Sequence, residues 1–433
     1  MNRIILLGNG FDLAHKLETS YKHFIDKFWK NMAKEYFNNN PYNFNNEYIS
    51  IEIPFSKRLD TLTKPNDSDI LDYKTFSNFL RENGRIEIIF NNHFLKIITE
   101  NLSFKNWVDI EEEYYQQIKN IVQKEISPYK KEEKMRKLNE ELERIKEELE
   151  NYLSDIVKNG ISEIKVIHNL FYDNFKLKDF PKSKENLLIE YVAAILYKCD
   201  DMYKYRELRE ETIENIKRKY KIDDNEVTIE QIIEYIKLKY TGLLLSCRDK
   251  FYPQNTLILN FNYTNTESLY SKYDDNVKGG GAKLPFHSIH IHGELNNKEN
   301  PIIFGYGDEL ADEYKEIEKL GDPEYFKNIK SIKYLQTSNY RELLNFINSD
   351  YYQIFIMGHS CGNSDRTLLN TLFEDKNCVS IKPFFYEEEK NGKKQDDYEN
   401  IIINISRNFN DKKAFREKIV NRTACDPLPQ TQK

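Results

Sequence analysis

The chain lacks any run of apolar residues near the roughly 20 that a spanning helix needs, and its mean hydropathy is -0.74. No membrane partner is therefore expected. Met1 to Gly10 is too short and too broken by glycine to act as a secretory leader, which points to a cytoplasmic location. Cysteine is scarce. The five present, Cys199, Cys247, Cys361, Cys378 and Cys425, are odd in number and widely spaced without a C-x-x-C pair, as reduced thiols would be, and a zinc ribbon is not expected. Positive charge is also in short supply: 64 Lys plus Arg stand against 71 Asp plus Glu, a net charge of -7, so the surface as a whole does not attract a phosphate backbone. Histidine is rarer still, with eight in the chain; His290 and His292 form an H-x-H pair that could bind metal, but no carboxylate or histidine cluster at metal-ligand spacing accompanies it.

What is present is a globular composition, 39% hydrophobic and 31% charged, with 30 Tyr and 26 Phe supplying much of the apolar area. At 433 residues the chain exceeds a usual single domain, so two lobes or one fold with a large insertion are expected. Ile4 to Leu7 reads as a buried strand stopping at Gly8, and Thr19-Ser20 caps a helix carrying Tyr21, Phe24, Phe28 and Met32. From Asp69 to Tyr240 the signals are nearly all helical, notably Ile86 to Ile98, Trp107 to Val122, Leu187 to Leu196 and Ile229 to Leu238. Met135, Leu138, Leu142, Ile145, Leu149, Leu153 and Ile156 form a narrow seam on a long helix, read as a hairpin packing on its own lobe, with partner binding or self-association as the alternative.

After Asp249 short strands return: Thr256 to Phe261, Ser288 to Ile291, Pro301 to Phe304, Ile354 to Met357 and Val379 to Tyr386, with helices at Asn339 to Ile347 and Arg366 to Phe373. The expected fold is α/β, with a mostly parallel sheet and a large inserted helical lobe. The divisions are 1–68 and 249–415 for the sheet domain, 69–248 for the lobe, and 416–433 for a flexible tail.

Several strands end in polar or glycine residues, where open α/β sheets place ligands. Gly8-Asn9-Gly10-Phe11-Asp12 offers a turn whose glycines let backbone N–H groups approach a phosphate, or a plain tight turn. Asn262 follows one strand, and His290 and His292 follow another on a shared face. Metal binding ranks below a catalytic or structural role for His292, and a strand-end role is the alternative for Asn262. Gly358-His359-Ser360-Cys361-Gly362 matches the G-x-S-x-G nucleophile elbow, but in α/β-hydrolases the catalytic histidine follows the serine, and His359 is the last histidine here. The remaining readings make Ser360 a hydroxyl donor to phosphate or ribose, or make Asp365 the cap of the next helix.

Together Gly8 to His15, Thr19-Ser20-Tyr21, Trp107-Val108-Asp109-Ile110-Glu111, Phe261-Asn262-Tyr263-Thr264, His290-Ile291-His292-Gly293 and Gly358 to Asp365 resemble the AbiH family of bacteriophage abortive-infection proteins. The resemblance implies a role in antiphage defence. More distantly the order of motifs is similar to the sirtuin-like NAD-binding fold, which implies a Rossmann-like sheet and NAD as substrate or ligand. It also implies Asn262 and His292 as a catalytic pair, with Gly8, Asn9, Gly10, Asp12, Gly358, Ser360 and Asp365 toward the cofactor. Thr264 stands where sirtuins carry an aspartate, and their zinc cysteines are missing, so NAD hydrolysis to nicotinamide and ADP-ribose is expected over protein deacylation. The alternative is a nucleotide-binding sensor or scaffold engaging a phage trigger or host partner through the helical lobe, or a homo-oligomer. A nuclease is a third reading, for which Asp109, Glu111, Glu112 and Glu113 give only a solvated helix face.

Overall fold

The computed structural model describes residues 1–39, 43–53, 70–84, 86–105, 109–158, 160–197, 203–221, 227–246, 252–271, 286–310 and 312–431. Its centre is a five-stranded, all-parallel sheet in the spatial order His287–His290, Thr256–Asn260, Asn2–Leu7, Tyr352–Met357, Cys378–Phe384. The first strand of the chain is the middle of the sheet. From it the next two strands build outward on one side and the last two on the other, so the topology switches at Asn2–Leu7.

Every residue of Asn2–Leu7, Tyr352–Met357 and Cys378–Phe384 is buried, as strands covered on both faces must be. The period of two sorts them. Ile4, Leu6, Leu257, Leu259, Ile354 and Ile356 meet Leu343 and Ile347 of the Asn339–Ser349 helix, Leu369 and Leu372 of Arg366–Glu374, and Ile405 of Tyr398–Arg407. Ile5, Leu7, Ile258, Phe355 and Met357 face the other way, onto Phe11, Ala14, Ile167, Phe171 and Tyr270. The protein is thus mixed α/β with helices on both sides of a parallel sheet.

The helices that intervene between the first two sheet strands do not share one core. Those from Tyr73 to Ile156 pack with Tyr21–Asn38 and a small antiparallel sheet of Asn43–Asn45, Ile49–Glu52 and Ile89–Phe90, and also with Ile302, Phe304, Tyr306 and Tyr325. Glu185–Tyr197, Tyr203–Tyr220 and Ile229–Ser246 form a separate cluster, while Lys165–Phe171 lies under the main sheet. The seam of the Pro128–Ile156 helix is buried against this chain's own residues from Met135 to Leu153. The expected boundaries at 68/69 and 248/249, Trp107, Val108, Cys199, Cys247 and the Gly279 to Gly281 loop lie outside the described residues.

Two expectations need correction. Pro301 to Phe304 forms no strand; it is an extended segment whose Ile303 N–H donates to His292 O at 2.8 Å. Ile86 to Ile98 is not one helix: Ile89–Phe90 is a strand and the helix starts at His93. The described part of the tail, 416–431, is folded onto the sheet domain: Val420 N–H donates to Ile381 O at 2.9 Å, Leu428 N–H to Phe385 O at 2.8 Å and Thr431 N–H to Ala14 O at 3.1 Å. Leu428 is buried there, and Val420, Ala424 and Cys425 are buried beside Phe385.

Candidate functional site

At the carboxyl ends of the central strands two bends cross. Gly10 N–H donates to Gly358 O at 2.8 Å and Gly8 N–H to Met357 O at 3.3 Å. Gly358 has φ +74°, and a Cβ there would lie 2.1 Å from Phe11 N, while one on Gly8 would lie 2.5 Å from His359 Cα. Only glycine lets the two backbones run this close. The N–H groups of Gly8 and Gly10 are therefore spent on the crossing, and a phosphate cradle there would have to draw on other donors. Ser360 borders the crossing, and its hydroxyl makes no hydrogen bond among the described residues.

A cavity of about 790 Å³ opens above the crossing, and Gly8, Asn9, Gly10, Asp12, Asn262, His292, Gly358, Ser360 and Asp365 all line it. On one side its wall is Tyr21, Asp109, Glu111, Tyr263 and the end of the helical seam, Leu149 and Leu153; on the other it is Phe384, Tyr386, Asn404, Leu428 and Gln430. The volume lies within the ~300–1,000 Å³ of small-molecule and cofactor sites.

Asn262 is fixed by its own backbone, whose N–H donates to Asn260 Oδ1 at 2.9 Å, and its Nδ2 donates to Gly8 O at 3.0 Å. It thereby ties the loop after Thr256–Asn260 to the first bend. Asp12 lies within the short Asn9–Ala14 helix and does not cap it. Its Oδ2 accepts from Thr264 Oγ1 at 2.6 Å; Oδ1 has Thr266 and Asn262 nearby but no hydrogen bond of normal geometry. Burial pushes the Asp12 carboxyl up to about 6, against the pull of those donors. Asn9 is held by Thr19, whose hydroxyl donates to Asn9 Oδ1 at 2.5 Å.

His290 and His292 take different partners. His290 Nε2 lies 2.8 Å from Glu267 Oε1, below the site. His292 Nε2 lies 3.1 Å from Asp365 Oδ1 and 3.1 Å from Tyr334 OH. Burial, reinforced by the nearby Lys330 ammonium, pulls the His292 imidazole down to about 4 despite Asp365, so it is neutral at neutral pH.

Asp365 precedes the Arg366–Glu374 helix but makes no side-chain cap bond; its carboxylate turns instead to Lys330 at 2.8 Å. Lys330 is fully buried and also reaches Glu111 Oε2 at 2.8 Å. Glu111 is thus no part of a solvated helix face. Asp109 caps its helix by accepting from Glu111 and Glu112 N–H, each at 3.1 Å, which turns Glu111 inward, where Gly305 N–H donates to its Oε1 at 3.1 Å. Lys330 was missed from the sequence, since one lysine among many carries no mark of burial; Glu111 could have been found from the capping pattern Asp109-x-Glu111-Glu112 ahead of an apolar period.

Among the described residues no group of three His, Cys, Asp or Glu is placed to hold a metal ion, and no helix is long and apolar enough to cross a membrane. Comparison with curated proteins gave no match, and comparison with solved structures gave none either. The family model described as bacteriophage abortive infection AbiH matches residues 70–387, well over half of the chain and inclusive of Glu111, Asn262, His292, Lys330, Gly358 and Asp365. The protein belongs to the AbiH family of bacteriophage abortive-infection proteins.

Proposed function

We propose that this AbiH protein serves antiphage defence in the cytoplasm by binding NAD in a sirtuin-like, Rossmann-like site and hydrolysing it to nicotinamide and ADP-ribose. One observation carries the reading: a fixed amide, Asn262, a neutral imidazole, His292, and a buried carboxylate with an unbonded oxygen, Asp12, line one cavity beside the glycine crossing.

The chemistry suits these groups. Breaking the bond between nicotinamide and ribose leaves positive charge on the sugar, and water must add there while its proton departs. His292, neutral at working pH, accepts that proton as general base. Asn262 orients the water or the carboxamide, and Asp12 accepts a ribose hydroxyl or stabilises the developing charge. The other lining carboxylates, Asp109, Asp365 and Asp397, favour a cationic ring over a neutral one. Ser360 is the free hydroxyl beside the crossing, where the diphosphate is expected.

The test is incubation of the purified protein with NAD, alone and with phage lysate fractions, following nicotinamide release. His292→Ala is expected to lower turnover by roughly 10²–10⁴-fold and Asn262→Ala by about 10²-fold. If no condition yields nicotinamide while NAD still binds, the chain is a nucleotide-binding sensor and not a hydrolase.

A further inference from the structure

The ionisable groups around His292 are drawn from three distant parts of the chain: Glu111 from the Ile110–Gln123 helix, Lys330 from the short Lys330–Lys333 helix, and His359 with Asp365 from the second glycine bend. Asp365 is their common member. Its Oδ1 meets both Lys330 Nζ, at 2.8 Å, and His292 Nε2, at 3.1 Å, and its Oδ2 lies 3.5 Å from His359 Nε2. His359 Nδ1 accepts the Cys361 N–H at 3.0 Å, so in the neutral ring the proton sits on Nε2 and faces the carboxylate.

His292 is constrained in the same way. A carboxylate oxygen 3.1 Å from Nε2 can only accept, so a lone pair on Nε2 would oppose it; a proton there is attracted. Tyr334 OH, also 3.1 Å away, could instead donate to Nε2 and would then force the proton onto Nδ1. Asp365 wins this competition because it is ionised. Burial opposes its charge, but Lys330 and His292 outweigh burial and hold it well below the usual carboxylate range. With two carboxyls around one ammonium, Glu111 is the one that keeps its proton: burial raises it to about 8 against the pull of Lys330. Phe261 packs edge-on against His292 at 5.0 Å and against His359 at 4.1 Å, limiting tilt of both rings.

We propose that Asp365 is a positioning residue and not a cofactor ligand: it holds His292 as the Nε2–H tautomer, leaving Nδ1 as the base, with Lys330 as the counterion that fits Asp365 for the task. The inference rests on His292 as the base of the proposed hydrolysis. It corresponds to the way a buried aspartate fixes the histidine of hydrolytic triads. His292 Nδ1 has no hydrogen-bond partner among the described residues, and the residue lines the cavity.

Histidine-selective ¹⁵N NMR of the full chain reads the tautomer directly, with His292→Gln assigning the signal. The wild type is expected to show a protonated Nε2 and a bare Nδ1 at neutral pH. Tyr334→Phe, which removes the competitor, is expected to leave that pattern unchanged. Asp365→Ala is expected to move the proton to Nδ1 as Tyr334 takes over, and to lower kcat by roughly 10²–10⁴-fold with little change in KM. A wild-type Nδ1–H tautomer, a switch in Tyr334→Phe, or an unchanged spectrum in folded Asp365→Ala each overturns the proposal. Should Asp365→Ala not fold, the wild type and Tyr334→Phe still decide it. If the tautomer pattern holds but no nicotinamide is released, the reaction falls and the positioning role stands.

Discussion

Asp12 shows how one buried carboxyl writes itself into pH behaviour. Its pKa in the folded chain, about 6, lies above the ordinary 3.8, so the native state binds the proton more tightly than the unfolded one. The stability this group contributes is complete below about pH 4 and is lost as pH rises through about 6. His292, lowered from 6.5 to about 4, works in reverse: its contribution is present above about pH 6.5 and is lost as pH falls through 4. Urea unfolding of Asp12→Asn between about pH 4 and 7 is expected to lack the decline, whereas His292→Ala should lack the rise; identical slopes in all three proteins would refute both assignments. The glycines give a sharper contrast. Gly358→Ala combines φ +74° with a Cβ 2.1 Å from Phe11 N, so a loss above about 3 kcal/mol is expected in denaturant titration. Gly362→Ala, with φ -67° and only Ser360 Oγ at 3.7 Å, is expected to change stability by less than about 0.5 kcal/mol. Both glycines look alike in the motif Gly358-His359-Ser360-Cys361-Gly362, and only the fold tells them apart. That Asn262, His292 and Asp12 border one cavity agrees with their sequence positions at strand ends and a glycine turn, because those are marks internal to each segment. The ionic pairing of Lys330 was not legible in the sequence, because it depends on two segments more than 200 residues apart meeting at a bend.

Among elements, the Ile110–Gln123 helix connects a local rule to the site. Asp109 accepts two of its first N–H groups, and removing that cap releases the turn that aims Glu111 at Lys330. Asp109→Ala is expected to cost about 1 kcal/mol of stability, checked by thermal unfolding; a value near zero would mean that tertiary packing alone orients Glu111. Legibility tracked the periodicity available. The strands at Thr256, Ile354 and Val379 and the helices at Asn339 and Arg366 were readable within a residue or two, since apolar runs and amphipathic stripes are signals internal to each segment. The small sheet Asn43–Asn45, Ile49–Glu52, Ile89–Phe90 was not, because strands of two to four residues are too short to show a period. The hairpin Glu387–Lys390 with Lys393–Asp396 was overlooked despite its Asn391-Gly392 turn, both residues at positive φ, a signal that charged strands masked.

Over the whole molecule, the polar C-terminal segment belongs to the cavity wall. Few of the residues in 416–431 are apolar, but Val420, Ala424, Cys425 and Leu428 are buried against the sheet domain, and backbone bonds join the segment to Ile381, Phe385 and Ala14. Ending the chain after Val420 is expected to leave the sheet folded and weaken ligand binding by about tenfold, one wall having been removed; calorimetric titration with ADP-ribose would measure it, and unchanged affinity would show that Leu428 and Gln430 do not touch the ligand.

The central placement of the first strand has a bearing on the cell that makes this protein. Asn2–Leu7 is made before both of its sheet neighbours, which lie some 250 and 350 residues further along the chain, so the cavity beside the glycine crossing cannot form until translation has passed Asp365. A polypeptide cut short before Gly358 lacks the Gly10–Gly358 contact and the half of the cavity wall that the last two sheet strands bring with them.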